Sequence, residues 1–331
     1  MTRRRWTIAT AVALLALGGS LATIANASDT ADAADTSEWQ RVGTGMTGGV
    51  SGLAVIEKRG GSKKSVDLVM VRDSKKPGES RVATVRYSAS GKKAPVVREL
   101  PWQGMPEPRD LEAVDSVPGQ PGDYVTLTSD GTAYRFTLDP DAAVAWGSSP
   151  VPDRAAGDNY ESFALTRQHG RTIAVWATRG SSGDKPSLVR AAEYDPNSGT
   201  FGPATAPVAF TVPYPLPVDG QEVRHASDIK IHADGTVLLT AASDPNVNSG
   251  PFASAVYIAG KVTSDKSGRI RVDLKSKDRL TALASFDKEV DNRKIEAVAC
   301  RRGSETGIVG TDDEDEGGSL LSLDICPGSR D

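Results

Sequence analysis

Five stretches of the chain superimpose on one another: VSGLAVI at 50–56, DLEAVD at 110–115, NYESFAL at 159–165, ASDIKIH at 226–232 and KIEAVAC at 294–300. Each is followed by a turn and a second apolar run (VDLVMVRD, DYVTLTSDG, RTIAVWATRG, GTVLLTAASD, TGIVGTDD), then by a loop and a third (RVATVRY, TAYRFTLD, SLVRAAEYD, SAVYIAGKV, SLLSLDI). The runs are bounded by Gly, Pro, Asp and Ser and show no helical periodicity, so the chain reads as all-β. The units recur every ~50 to 70 residues, the length of a four-stranded propeller blade with loop insertions. This predicts a single β-propeller of five blades over residues 38–331, with fourth strands from stretches such as VVRELPW, PVAFTVP and LTALASF. The last unit runs out after its third strand near Ile325, and EWQRVG at 38–43 is a spare strand whose pairing there would close the ring and cover its edges. A sixth, degenerate blade between residues 201 and 225 is the alternative, although the five prolines in that stretch suit a crossing loop better.

In a propeller the first strand of each blade lines the central channel, and four of the five first strands carry an acid near one register: Glu112, Glu161, Asp228 and Glu296. The first blade has Ser51 and Gly52 instead, while Asp110 and Asp158-Asn159 add oxygens just ahead of two of the strands. A carboxylate there must meet water, a donor or a cation, because burying it unpaired costs several kcal/mol. Two roles are open: a channel-mouth ligand site, or hydrogen bonding that fixes the register of the next blade, with Arg109, Arg224 and Arg293 as nearby cations.

Neighbouring strands in a blade run antiparallel, so the loops after the second strands share a face with the starts of the first strands. Two of these loops, TDDEDEGG (Asp312, Asp313, Glu314, Asp315, Glu316, Gly317) and SDPNVNSG (Asp244, Asn246, Asn248, Gly250), repeat oxygen-bearing side chains before a glycine. Hard cations such as calcium are wrapped in this way, although Leu323 stands where an EF-hand would place its closing Glu. Calcium at the mouth, held by Asp312, Asp313, Glu314, Asp244 and Asn246, is therefore expected, against the plainer reading of two solvated turns.

The opening MTRRRWTIATAVALLALGGSLATIANA has the basic, apolar and small-residue regions of a secretory signal, with cleavage expected after Ala27 and a flexible linker over 28–37. Arg3-Arg4-Arg5 also suits twin-arginine export, and no second apolar segment suggests a membrane anchor. The formal net charge is −4, and losing three arginines makes it more negative, which argues against nucleic acid or an anionic membrane as partner. In an oxidising exterior Cys300 and Cys326, the two cysteines of the chain, are expected to pair, worth roughly 3.5 kcal/mol by loop entropy.

Several motifs fail on context. QHGRT at 168–172 approaches a histidine acid phosphatase signature but occupies a strand turn and lacks the leading Arg, so His169 is read as a turn residue. GGVSGL at 48–53 misses the nucleophile elbow by one position. His225 and His232 flank the fourth first strand and read as structural, and no zinc spacing or phosphate-cradling loop is present. A glycosidase would draw its acid and base from the channel, Asp110 or Glu112 with Glu161 or Glu296. With 18 aromatic residues in 331, however, few platforms are left for stacking a sugar chain.

At DLEAVD, NYESFAL, KIEAVAC and IVGTDDEDEGGSL the chain resembles secreted bacterial propellers of the esterase-like phytase type and, more loosely, the SdiA-regulated propellers. Those families follow the acid with a glycine, where this chain has Ala113, Ser162 and Ala297. The resemblance implies a calcium-dependent hydrolase or a calcium-binding extracellular propeller. The expectation is a secreted, monomeric, calcium-binding propeller taking a small or peptide ligand at an acidic mouth, with hydrolysis as the alternative.

Overall fold

The computed structural model describes residues 39–57, 65–89, 93–181, 185–215, 222–289 and 291–327. The signal and linker expected over 1–37 lie outside these residues. From Ser37 onward the chain forms one compact unit. It contains five antiparallel sheets, each beginning at one of the five repeated stretches: Gly52–Val55, Leu111–Ser116, Tyr160–Gln168, Glu222–Ile231 and Ile295–Cys300. These five first strands contact one another in a closed ring, one to two, two to three, and so on back from five to one. The fold is a five-bladed β-propeller.

Period-two patterning builds the ring. The second strand of blade three, Arg171–Thr178, is buried on both faces, with Ile173, Val175 and Ala177 packing toward blade four and Ala174 and Trp176 toward blade two. The second strand of blade one, Val66–Val71, divides in the same way, Val69 and Val71 toward blade two and Leu68 and Met70 toward blade five. Apolar burial of this kind is the main favourable term in folding, and five such cores lie between the five pairs of adjacent blades.

The blades differ at their outer edges. Val96–Leu100 and Ala282–Phe286 supply outer strands of blades one and four, as expected, and Ile270–Leu274 adds to blade four. Blade two has a nine-residue outer strand, Ala142–Pro150, with Trp102–Gln103 added parallel outside it. In blade three Thr200–Phe201 and Val208–Phe210 each pair with a part of the third strand. The described strands of the proline-rich stretch therefore belong to the rim of blade three, and from Glu222 the chain is in blade four, so the described residues form five blades and not six.

Closure uses both ends of the chain. Gln40 pairs with Leu320 and Arg41 with Ser319, which makes the N-terminal strand the fourth strand of blade five. Cys300, at the end of the first strand of that blade, forms a disulfide with Cys326 just after the third. Gly307 makes room for it, since a Cβ at that position would sit 2.5 Å from the Cys326 sulfur.

Candidate functional site: the channel mouth

Three first strands are interrupted at the same place. In blades two, three and five the pairing register skips one residue, between Leu111 and Ala113, Tyr160 and Ser162, and Ile295 and Ala297. The residue left over is the glutamate each time: Glu112, Glu161 and Glu296. A β-bulge re-aims the side chain of its extra residue, which is how a carboxylate can occupy an otherwise apolar strand without entering the packing between blades. Blade one has no counterpart: its first strand pairs from Gly52 to Val55 without a skipped residue, and Ser51 and Gly52 stand where the other blades carry the glutamate.

The ends of the second strands meet the bulges on one face, and buried cations join them. Arg224, which precedes a wider bulge in blade four, reaches Glu161 at 3.5 Å, Asp244 at 2.8 Å and Glu296 in a short contact, so acids from three blades share one guanidinium. Burial works against that charge, but Glu296, Glu161 and Asp244 outweigh it and raise the Arg224 pKa further. Lys294, buried beside it, contacts Asp312 at 3.3 Å, Glu296 at 3.5 Å, Asp244 at 3.6 Å and Glu314 more closely still. Burial opposes its charge too, and Glu296 and Asp312 overcome it. Arg179 adds Glu161 at 3.8 Å and Glu222 at 3.3 Å.

The other side of the mouth is not neutralised in this way. Asp73, after the second strand of blade one, and Asp110 share Lys75, at 3.4 and 3.1 Å. Arg72 is close by, but its guanidinium donates to the carbonyls of Thr47 and Val42. Burial, with Asp312 and then Asp110 adding repulsion, pushes Asp73 up to about 6. Glu112 is only 8% exposed and makes no hydrogen bond or ion pair among the described residues. Burial first, then the negative charges of Glu161, Asp110, Asp73 and Glu296, raise its pKa well above the usual carboxylate range. One carboxylate oxygen of Asp312 and the Ser51 hydroxyl are buried here without partners. Gly49 leaves the space for that oxygen, which would lie 2.0 Å from a Cβ at position 49.

The residues singled out in the sequence thus separate into groups. Asp110, Glu112, Glu161 and Glu296 come together at the mouth with Asp244, Asp312 and Glu314. Asp228 does not join them. It is fully buried, accepts the Val298 N–H of the next first strand at 2.9 Å and pairs with Lys230, while burial pushes its pKa up to about 7. Asp115 does the same work two repeats earlier, accepting the Leu165 N–H at 2.8 Å. Of the nearby cations, Arg293 binds Asp313 at 2.8 Å, whereas Arg109 is exposed and contacts no mouth acid among the described residues.

The two polar loops do touch, through an Asp315 N–H to Asn248 carbonyl bond of 3.3 Å, but their oxygens do not converge on a cation position. Asp313 accepts from Lys294 N–H, Arg293 and Thr311, each at 2.8 Å. Asp244 spends one oxygen on Arg224 and the other on the Asn246 N–H, and the Asn246 residue is exposed in the turn. Glu314 faces Lys294. Among the described residues, no three acids bring carboxylate oxygens within 4.8 Å of one another. The five-residue ligand set expected for calcium is therefore largely engaged by protein cations. Asp73 went unnoticed because it follows a second strand rather than sitting in a first, and Lys294 because its lone charge opens the apolar KIEAVAC stretch.

Compared with family models the chain matches none, and no curated protein matches it. Among solved structures it is similar to an exo-1,5-α-L-arabinanase from a bovine ruminal metagenomic library, at 12% identity over 83% of this chain and 92% of the other, with a TM-score of 0.49. It is also similar to an α-L-arabinofuranosidase from Podospora anserina (10% identity, 87% and 98% covered, TM-score 0.44). An exo-β-1,3-galactanase from Phanerochaete chrysosporium gives 9% identity, 86% and 63% coverage and a TM-score of 0.45. At these identities the likeness is one of fold.

Two substitutions test the division of the mouth. Arg224→Met, which strands three acids, should lower unfolding stability in urea by about 3–5 kcal/mol; a loss below about 1 kcal/mol would contradict the hub. Because the folded pKa of Asp73 lies above that of an unfolded aspartate, the folded state holds the extra proton, so its contribution is favourable at low pH and is lost as pH rises from about 4 through about 6. Asp73→Asn should therefore be more stable than the parent at pH 8 and gain nothing at pH 4. An equal effect at both would refute the assignment.

Proposed function

We propose that this chain is an exported propeller that binds a small ligand at its channel mouth, the ligand bringing the positive charge that Glu112 lacks. The observation that supports this reading is the asymmetry of the mouth. Arg224, Lys294 and Arg179 neutralise the acids of blades three to five, while Glu112 is buried without a cation. Buried acids left in that state cost folding energy, and a bound cation recovers it. An amine, such as the amino terminus of a peptide, is one source of such a charge. Calcium, expected from the two polar loops, is the other source of such a charge. The N-terminal signal pattern and the Cys300–Cys326 disulfide support export.

A second reading, hydrolysis, rests on a separate observation: two neighbouring carboxyls in unlike surroundings. Glu112, raised by burial, is suited to donate a proton to a leaving group, and Glu161, held by two guanidiniums, to act as base or nucleophile.

Thermal melting of the mature protein with a dipeptide amine, with calcium chloride, and with chelator separates these readings. At a hundredfold excess over Kd, a ligand of the mouth should stabilise the fold by about 2.7 kcal/mol, and Glu112→Gln combined with Asp73→Asn should abolish the shift. If neither amine nor calcium raises the melting temperature, the binding reading fails. Turnover of aryl glycosides or esters that disappears in Glu112→Gln would favour the hydrolase instead.

A further inference from the structure

The opposite face of the disc, where first strands end and second strands begin, carries a cavity of about 760 Å³ between blades three and four. We propose that it is a second binding site, for a small molecule bearing two or more phosphate or sulfate groups. Three arginines line it, Arg167 at the end of the first strand of blade three and Arg269 and Arg271 at the outer strand of blade four. None of the three has a side-chain hydrogen bond or ion pair among the described residues.

The two acids in the same wall offset part of this charge: Asp265, held low first by the Ser267 hydroxyl and also by the Arg269 charge, shares Arg269, whereas Asp234 is paired outside the wall with Lys261, which leaves Arg167 and Arg271 uncompensated. Asp265 accepts from the N–H groups of Ser267 at 2.8 Å and Arg269 at 3.0 Å. Asp234 accepts from Thr236 N–H at 2.9 Å and from the Thr236 hydroxyl, and pairs with Lys261 at 3.2 Å. Arg171, nearby, is likewise spent on Glu193. The floor is held by Gln168, which donates to the Val262 carbonyl at 2.9 Å and accepts the Ser264 N–H at 2.7 Å, joining the two blades beneath the cavity.

His169 lies on the rim. With Gly170 it has positive φ (48° and 83°), the two-residue turn that returns a hairpin at the edge of the cavity. Arginine donates in a planar fork that matches phosphate and sulfate oxygens, and the volume falls within the range of small-molecule sites. The acids of the channel mouth take no part, so this site stands or falls independently of the mouth.

Calorimetric titration of the mature protein with inorganic tripolyphosphate and, separately, with a trisulfated disaccharide tests the site and distinguishes phosphate from sulfate. Binding of at least one probe should weaken about tenfold in Arg167→Ala and further in Arg269→Ala/Arg271→Ala, while Glu112→Gln and the distant Arg98→Ala bind as the parent does. Absence of binding by both probes, or equal affinity across parent and arginine variants with circular dichroism unchanged, would overturn the proposal.

Discussion

The Arg224 guanidinium is the contact on which the mouth depends. It is buried where three blades meet, and it holds Glu161, Glu296 and Asp244, from the first strands of blades three and five and the second strand of blade four. Without it, and without Lys294 beside it, bulged glutamates could not crowd the inner end of the ring except as neutral acids. These two cations explain why acids recur around the channel without repelling the blades apart. They also make the mouth a mixed-charge surface, with one side already compensated and the other carrying Glu112 alone.

A short acidic repeat therefore hides two different uses of a carboxylate. At the bulge it turns into the channel, as Glu112, Glu161 and Glu296 do. Elsewhere on first strands it turns to the next blade, and Asp115 and Asp228 hold the N–H groups of Leu165 and Val298. The second use fixes register between strands that share no ladder. It is the structural alternative that sequence reasoning raised for these acids, and it applies to Asp228 but not to the glutamates.

Much of the fold was legible because its signal is periodic: five apolar triplets of strands, a spare N-terminal strand, and two cysteines placed to tie the closing blade. The outer edges were harder, since Ala142–Pro150 opens on small apolar residues, mostly alanine, and ends in Gly, Ser, Ser and Pro, with no clean strand alternation of its own. At the site, the shared face of Glu112, Glu161 and the TDDEDEGG loop followed from strand direction alone. What could not be read was the pairing. A bulge has no composition signal, and Lys294 and Arg224 are single charges whose partners are distant in sequence. The loops looked like cation-wrapping turns because their oxygens alternate, yet Asp313 and Asp244 are taken by arginine and backbone donors.

The most direct test of this account is the titration of the glutamate side-chain carboxyls by carbon-13 NMR, comparing the parent with Glu112→Gln. The account predicts that the Glu112 carboxyl, like the buried Glu296 carboxyl, takes up its proton well above the usual range, and that the Glu112 signal alone is missing from the variant and shifted downward when a cationic ligand occupies the mouth. If the Glu112 carboxyl titrates with the exposed glutamates, the mouth holds no uncompensated acid, and its division into a neutralised and an open half is wrong.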